Sequence, residues 1–204
     1  MMLGDLGADV LKVERPGRGD DTREWGPPFD DRGRSAYYLS VNRNKLSLAA
    51  DLRIDRELIG NLVGSADVVV ENYLPGALIR AGVDSAVIIA DHRQLVWCTI
   101  TGFGPDSLRP GYDFVVQAES GWMAITGSPQ GEPMKAGVAL VDVVAGKDAA
   151  IAILASLVAR ARGGSFERHV TISLADSARA ALINVAQNSL VSGHDAPRWG
   201  NAQD

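Results

Sequence analysis

Short runs rich in β-branched residues alternate along the chain with longer runs whose apolar positions recur at helical spacing. Residues 9–14 (DVLKVE) read as a strand, and residues 67–71 (DVVVE) as a second, a continuous valine run suited to burial on both faces. Residues 94–101 (QLVWCTIT) and 168–174 (RHVTISL) give two more. Between them the spacing predicts helices around residues 55–65, 84–91, 113–126 and 143–162. Strands separated by helices in this way predict an α/β fold with a largely parallel sheet. Residues 16–34 (PGRGDDTREWGPPFDDRGR) break the alternation. They are polar and turn-rich yet carry Trp25 and Phe29, so they read as a long ordered loop, and such loops are often functional.

The pattern is open at both ends. Residues 1–7 (MMLGDLG) read as the last turn of a helix running into the first strand, and residues 197–204 (PRWGNAQD) stop in a loop. The expectation is part of a larger unit, poorly stable alone or completed by a further segment.

Composition narrows the class. With 46% hydrophobic and 22% charged residues and a mean hydropathy of +0.01, the 204-residue chain is long enough to bury one good-sized core. A net charge of −5 argues against a general nucleic-acid binder. Half of the Lys and Arg residues precede position 57, but as many acids accompany them, so that stretch is locally neutral. Its arginines are still able to converge on a phosphate. The single cysteine, Cys98, excludes a disulfide framework and a Cys-rich zinc site, no metal centre is expected, and its apolar surroundings predict burial. No secretion signal opens the sequence, and no apolar stretch reaches the roughly 20 residues of a bilayer span. A cytoplasmic protein is the default expectation.

Several candidate motifs carry little chemistry. Gly4-Asp5-Leu6-Gly7 suggests part of a dinucleotide fingerprint, but its glycines lead into a strand instead of a helix. No Walker loop is present. Gly163-Gly164 reads as the end of the long helix, after Arg160 and Arg162. His92, His169 and His194 form no catalytic or metal-binding pattern.

Asp142 is more informative. It precedes the predicted helix 143–162, flanked by Val141 and Val143. Its carboxylate reads as an N-cap of that helix. The same placement suits a catalytic carboxylate, because a helix N-terminus favours the ionised form. Held close to a thioester in a water-poor pocket, such a group is able to act as a nucleophile. Capping and catalysis do not exclude each other.

A set of phrases in order then resembles the family III CoA-transferases, the CaiB/BaiF or formyl-CoA type. LGDLGADVLKVERPGRGDDTR is followed by NRNKLSLAADL, ADVVVENYLPGAL and TITGFG. PGYDFVVQAESGWMAITG, GVALVDVVAG, ILASLVARARGG and HVTISLAD complete the match, which runs from Leu3 to about Asn201. The resemblance implies a Rossmann-like large domain in an interlocked homodimer. It implies transfer of CoA from an acyl-CoA to a free carboxylic acid, with CoA as substrate and no permanently bound cofactor. It places the acyl-carrying aspartate at Asp142. It also places Arg15 at the nucleotide end of CoA, Ala50 and Arg53 by the adenine and ribose phosphate, and Asn72, Tyr73 and Arg80 along the CoA channel. Tyr112 falls near the thioester.

The chain departs from that family in three ways. About twenty residues expected before Leu3, with the opening strand, have no counterpart. The small domain and a glycine-rich active-site loop belong beyond residue 204. Lys147-Asp148 stands where relatives carry apolar residues, and a cation there is able to help hold a carboxylate. Two alternatives follow. One is the α-methylacyl-CoA racemase branch, disfavoured because Gly111-Tyr112-Asp113 replaces its Gly-His-Asp and an ordinary tyrosine is a poor base. The other is a truncated, non-catalytic remnant or split-gene subunit.

Overall fold

Four of the five strands lie where the apolar runs predict them. The computed structural model describes residues 1–202, so the last two residues of the predicted terminal loop fall outside it. The chain forms two compact units, one from residues 1–65 with 81–83 and one from residues 66–80 with those from 84 on.

In the first unit, helix α1 (Met2–Asp5) enters strand β1 (Val10–Glu14) through Gly7, whose φ of +99° reverses the chain. The predicted loop follows and holds one 3-10 turn, Asp21–Glu24, capped by Asp20, whose carboxylate accepts from the Thr22 amide at 2.7 Å. Helix α2 (Ala36–Asn42) starts on Ser35, strand β2 (Lys45–Ala49) follows, and α3 (Arg56–Ser65) closes the run. β1 and β2 pair in parallel from Val10 opposite Lys45 to Glu14 opposite Ala49.

The loop is ordered by one buried acid. The Glu14 carboxylate accepts from Arg23 at 2.7 and 2.9 Å, from the Ser47 hydroxyl and Asp20 amide at 2.9 Å, and from the Tyr38 hydroxyl at 3.1 Å. Arg23 also lies over the Tyr38 ring, 4.0 Å from its centre. Five donor contacts outweigh the cost of burial, so Glu14 is held well below the usual carboxylate range, with Arg23 as the largest cause.

The second unit begins with β3 (Val68–Glu71), α4 (Ala77–Arg80) and α5 (Ser85–Asp91). Then come β4 (Val96–Thr101), α6 (Asp113–Glu119), α7 (Trp122–Ile125), α8 (Leu140–Ala161), β5 (His169–Ser173), α9 (Leu174–Ala180) and α10 (Ile183–Ser192). The sheet order is β3-β4-β5, all parallel. Central β4 buries Val96, Trp97 and Cys98 completely, and burial pushes the Cys98 thiol up to about 11.

Helix α8 packs on β4, β5, α6 and α9. Its buried positions Val141, Ala145, Ala149, Ile153 and Ser156 recur at helical spacing, and small residues among them allow close approach to the sheet. Val116, Leu174, Ala175 and Ala178 complete that core, and the Trp122 indole donates to the Ala178 carbonyl at 2.9 Å. Each large aliphatic side chain buried here contributes about 1.5–3 kcal/mol. The helix ends at Gly163 (φ +70°), where the Gly163 and Gly164 amides return to the carbonyls of Arg160 and Ala159, each at 3.0 Å.

Three expectations need correction. The predicted helix 113–126 is broken by Gly121, whose φ of +93° ends α6 and starts α7. The strand predicted to Leu174 stops at Ser173, whose hydroxyl caps α9. Most consequentially, α8 starts at Leu140, so Asp142 lies inside its first turn and is not its N-cap.

Candidate active site

A cleft of about 300 Å³ opens at the carboxyl ends of the second unit's three parallel strands. That end of a parallel sheet is where loops and helix N-termini converge on ligands. Asn72, Tyr73 and Pro75 enter it from the turn after β3, Ile100 to Gly102 from the end of β4, and Leu174 from the start of α9. Asp142, Ala145 and Gly146 supply the α8 wall.

Two glycines close the loop between β4 and α6. A side chain on Gly102 would place its Cβ 2.4 Å from the Gly111 Cα, and one on Gly111 would come within 2.2 Å of the Gly102 Cα. No residue but glycine fits either place, so the backbones touch, and the intervening loop lines the cleft with Ser107 and Arg109. Arg109 in that loop pairs with Glu119 and lies 4.1 Å over the Phe103 ring. Gly146 has the opposite meaning. A Cβ there meets nothing within 4 Å, so the helix surface one turn beyond Asp142 is bare on the cleft side.

The cap that sequence reasoning gave to Asp142 belongs to Asp113. Ala139, the N-cap of α8, offers no side-chain bond. Asp113 Oδ1 accepts instead from the amides of Val141 at 2.7 Å and Asp142 at 3.2 Å. With those amides taken, the helix end does not depress Asp142. Asp142 is exposed as a residue, yet the protein atoms crowded around its carboxyl, then the Asp113 charge, push its pKa up to about 6. The group is still mainly ionised at neutral pH. Lys147 is exposed and is not among the charges acting on Asp142. The Asp148 carboxylate is engaged by the Ser177 hydroxyl at 2.6 Å.

Of the residues singled out in the sequence, Asn72, Tyr73 and Asp142 meet in this cleft. Arg80 is exposed at the end of α4, and Tyr112 is exposed before α6 with its ring stacked on Phe114; neither lines the cleft. In the first unit Arg15 is exposed and pairs with Asp21. Ala50 is buried with its amide on the Glu14 carbonyl at 3.0 Å, so only its carbonyl is free for a ligand. Arg53 is exposed on the turn after β2, its amide held by Asp51 at 2.8 Å. Sequence reasoning missed Asp113, Gln117 and Gly146. The Asp-Phe-Val-Val-Gln spacing, which puts Asp113 and Gln117 one helical turn apart, is the signal that marks the first two.

Among the described residues, no group of three or more His, Cys, Asp and Glu side chains is placed to hold a metal ion. None of their helices is long and apolar enough to cross a membrane. A wider, shallow groove along the C-terminal half of α8, lined by Leu154, Val158 and Arg162, holds no comparable chemistry.

Comparison with known proteins identifies the family. The family model described as CoA-transferase family III matches residues 1–204. The chain is 44% identical over 211 residues to the succinate–glutarate CoA-transferase of Agrobacterium fabrum, covering 98% of this chain and 52% of that protein. It is 46% identical over 207 residues to the human succinyl-CoA:glutarate CoA-transferase, covering 99% and 47% respectively. Among solved structures, a CaiB/BaiF family protein from Brucella suis superposes with a TM-score of 0.92 at 47% identity, over 98% of this chain and 55% of that one. The chain thus spans about half the length of the curated relatives it matches. With the family model matching all 204 residues and a solved CaiB/BaiF structure superposing at a TM-score of 0.92, the chain belongs to CoA-transferase family III.

Proposed function

We propose that the protein carrying this chain transfers CoA between carboxylic acids, with Asp142 as the covalent carrier. The observation that carries this reading is the state of Asp142. It is a carboxylate in the first turn of α8, open to the cleft at the sheet's carboxyl end beside Asn72 and Tyr73, where desolvation and the Asp113 charge push its pKa up to about 6. It is ionised at neutral pH yet more basic than an ordinary carboxylate, the combination a carboxylate nucleophile needs.

In the proposed reaction an Asp142 oxygen attacks the thioester carbonyl of the donor. The C–S bond breaks, CoA thiolate leaves, and an aspartyl–acyl anhydride remains. The thiolate then attacks the aspartyl carbonyl, freeing the donor acid and leaving aspartyl-CoA. The acceptor carboxylate repeats the sequence in reverse and departs as its CoA thioester, restoring the Asp142 carboxylate. Gly146 leaves room for the acyl group beside the nucleophile. Asn72 and Tyr73, which line the same cleft, are the proposed contacts of the pantetheine arm. Arg15, Ala50, Arg53, Arg80 and Tyr112 are proposed CoA contacts on the family resemblance, as are an interlocked homodimer and a cytoplasmic location.

The relatives' names point to the substrates, and we assign succinyl-CoA as donor and a glutarate-sized dicarboxylate as acceptor. The racemase alternative fares worse, because no histidine lines the cleft and Tyr112 stands outside it. The test is chromatographic assay of glutaryl-CoA formed from succinyl-CoA and glutarate by the full-length protein. Turnover that disappears in Asp142→Asn while CoA binding persists supports the reading; turnover retained in that variant sinks the nucleophile. A folded wild-type protein with no turnover on any acyl-CoA would make it a non-catalytic remnant.

A further inference from the structure

The turn that carries Asp142 is held from another helix. Asp113, the first residue of α6 and 29 positions before Asp142, accepts the amides of Val141 and Asp142 on its Oδ1. Its Oδ2 accepts from the Gln117 side-chain amide at 2.5 Å. Gln117 is 1% exposed, and its own carbonyl accepts from the Ala136 amide at 2.8 Å, which fixes which end of the side chain faces Asp113. Three N–H donors therefore converge on one side chain, and only a group that accepts on both oxygens answers all of them. An asparagine at 113 would set its NH₂ against that of Gln117. Turning Gln117 round would set the same NH₂ against the Ala136 amide.

We propose that Asp113 is the positioning residue of this site: as a carboxylate it ties residues 136–142 and the first turn of α8 to α6, and it sets a negative charge beside Asp142 that maintains its basicity. Asp113 acts through Asp142 and is given no contact with substrate. Its catalytic meaning rests on Asp142 being the acyl carrier. Two physical effects work together here. By occupying the first-turn amides, Asp113 withholds from Asp142 the stabilisation that a free helix N-terminus gives an anion. Its own charge then further disfavours a second anion nearby.

The other charged groups on the elements packed against α8, and Arg109, which lines the same cleft from the loop before α6, each have another partner. Arg109 and Glu119 pair with each other, as do Arg179 and Asp176; Asp148 accepts from Ser177, and His169 bonds Thr99 at 3.0 Å. Asp113 is the one charge that bears on Asp142.

The test uses ¹³C carboxyl titration of the full-length protein, with the Asp142 signal assigned by its loss in Asp142→Asn. Asp113→Asn is expected to lower the Asp142 midpoint by up to about one pH unit, the part of the rise that its charge supplies, and to move the acid limb of any acyl-adduct formation by the same amount. A midpoint unchanged in that variant overturns the proposal. Amide exchange supplies a second arm. In Asp113→Ala, the Val141 and Asp142 amides are expected to exchange about tenfold faster or more, with β4 still protected. Unchanged exchange at those two amides also overturns it. Should Asp113→Ala not fold, the nearly isosteric Asp113→Asn carries the test alone. Neither arm needs turnover, so a wild-type protein that titrates as expected but forms no adduct would refute the Asp142 nucleophile and leave the positioning role standing.

Discussion

Among the described residues one carboxylate in each unit lies far from its ordinary range, and the two are displaced in opposite directions. Glu14, at the end of β1, has a side chain 3% exposed and is answered by Arg23, Tyr38, Ser47 and the Asp20 amide. Its pKa falls because the donors outweigh desolvation. Asp142 lies in the first turn of a helix, but a different acid has taken the amides that would have served it. Its pKa rises because desolvation and a like charge act without compensation. A fully satisfied carboxylate holds structure together and has no basicity left over; an unsatisfied one costs stability and is free to react. The contrast separates a structural acid from a chemical one without reference to which is more buried.

The largest effect should come from removing the reactive acid. Asp142→Ala is expected to lower CoA transfer by at least about 10³-fold, with little change in CoA affinity measured by calorimetry. Removing the structural acid should act on stability instead. Glu14→Ala, which strands Arg23 and unties the loop 16–34, is expected to cost about 2–4 kcal/mol in denaturant melts.

The two acids should also respond to pH with opposite signs. The folded pKa of Glu14 is depressed, so its contribution is present above the ordinary carboxylate range, near pH 4.5, and is lost as pH falls below it. The folded pKa of Asp142 is raised to about 6, so its unfavourable contribution is absent below about pH 4 and grows until about pH 6. Asp142→Asn should therefore stabilise the fold by about 1 kcal/mol at pH 7, the value being reduced by solvent screening of an accessible group, and by almost nothing at pH 4. Melts at the two pH values read the difference directly. The smallest effect is expected at Gly146. Gly146→Ala should raise stability by about 0.5–1 kcal/mol, because alanine suits a helix interior and its methyl meets no protein atom. It should raise KM for the acyl substrate, since that methyl enters the cleft. A variant that is less stable, or kinetically silent, would remove the bare helix surface from the account.

Local patterns in the sequence were enough to locate β1, β3, β4, β5 and most of α8, because valine-rich runs and helical spacing are properties of a few neighbouring residues. β2 went unassigned: Lys45–Ala49 has no β-branched residue and owes its strand conformation to pairing with β1. Helix α2 is only seven residues long and carries two tyrosines after Ala36, too brief for its spacing to declare itself. Asp142 was found because a lone carboxylate inside an apolar stretch is conspicuous, and its surrounding phrase matches the family. Its true relation to the helix was hidden, because the cap comes from Asp113, and no local window couples residues 29 apart. Asp142 is ionised at neutral pH as the sequence suggests, but not through the helix end, whose amides Asp113 occupies. Asn72 and Tyr73 line the cleft with Asp142, whereas Tyr112 stands outside it, since a residue preceding a helix carries no local mark of which way its ring lies.

The central claim is that Asp142 carries the acyl group, and trapping the intermediate tests it most directly. The full-length protein would be mixed with succinyl-CoA, quenched, digested and mapped by mass spectrometry, with and without hydroxylamine. The account expects a succinyl or CoA adduct on the peptide containing Asp142, converted to the hydroxamate by hydroxylamine and missing from Asp142→Asn. An adduct mapped to another residue, or catalytic turnover with no adduct at Asp142, would contradict it.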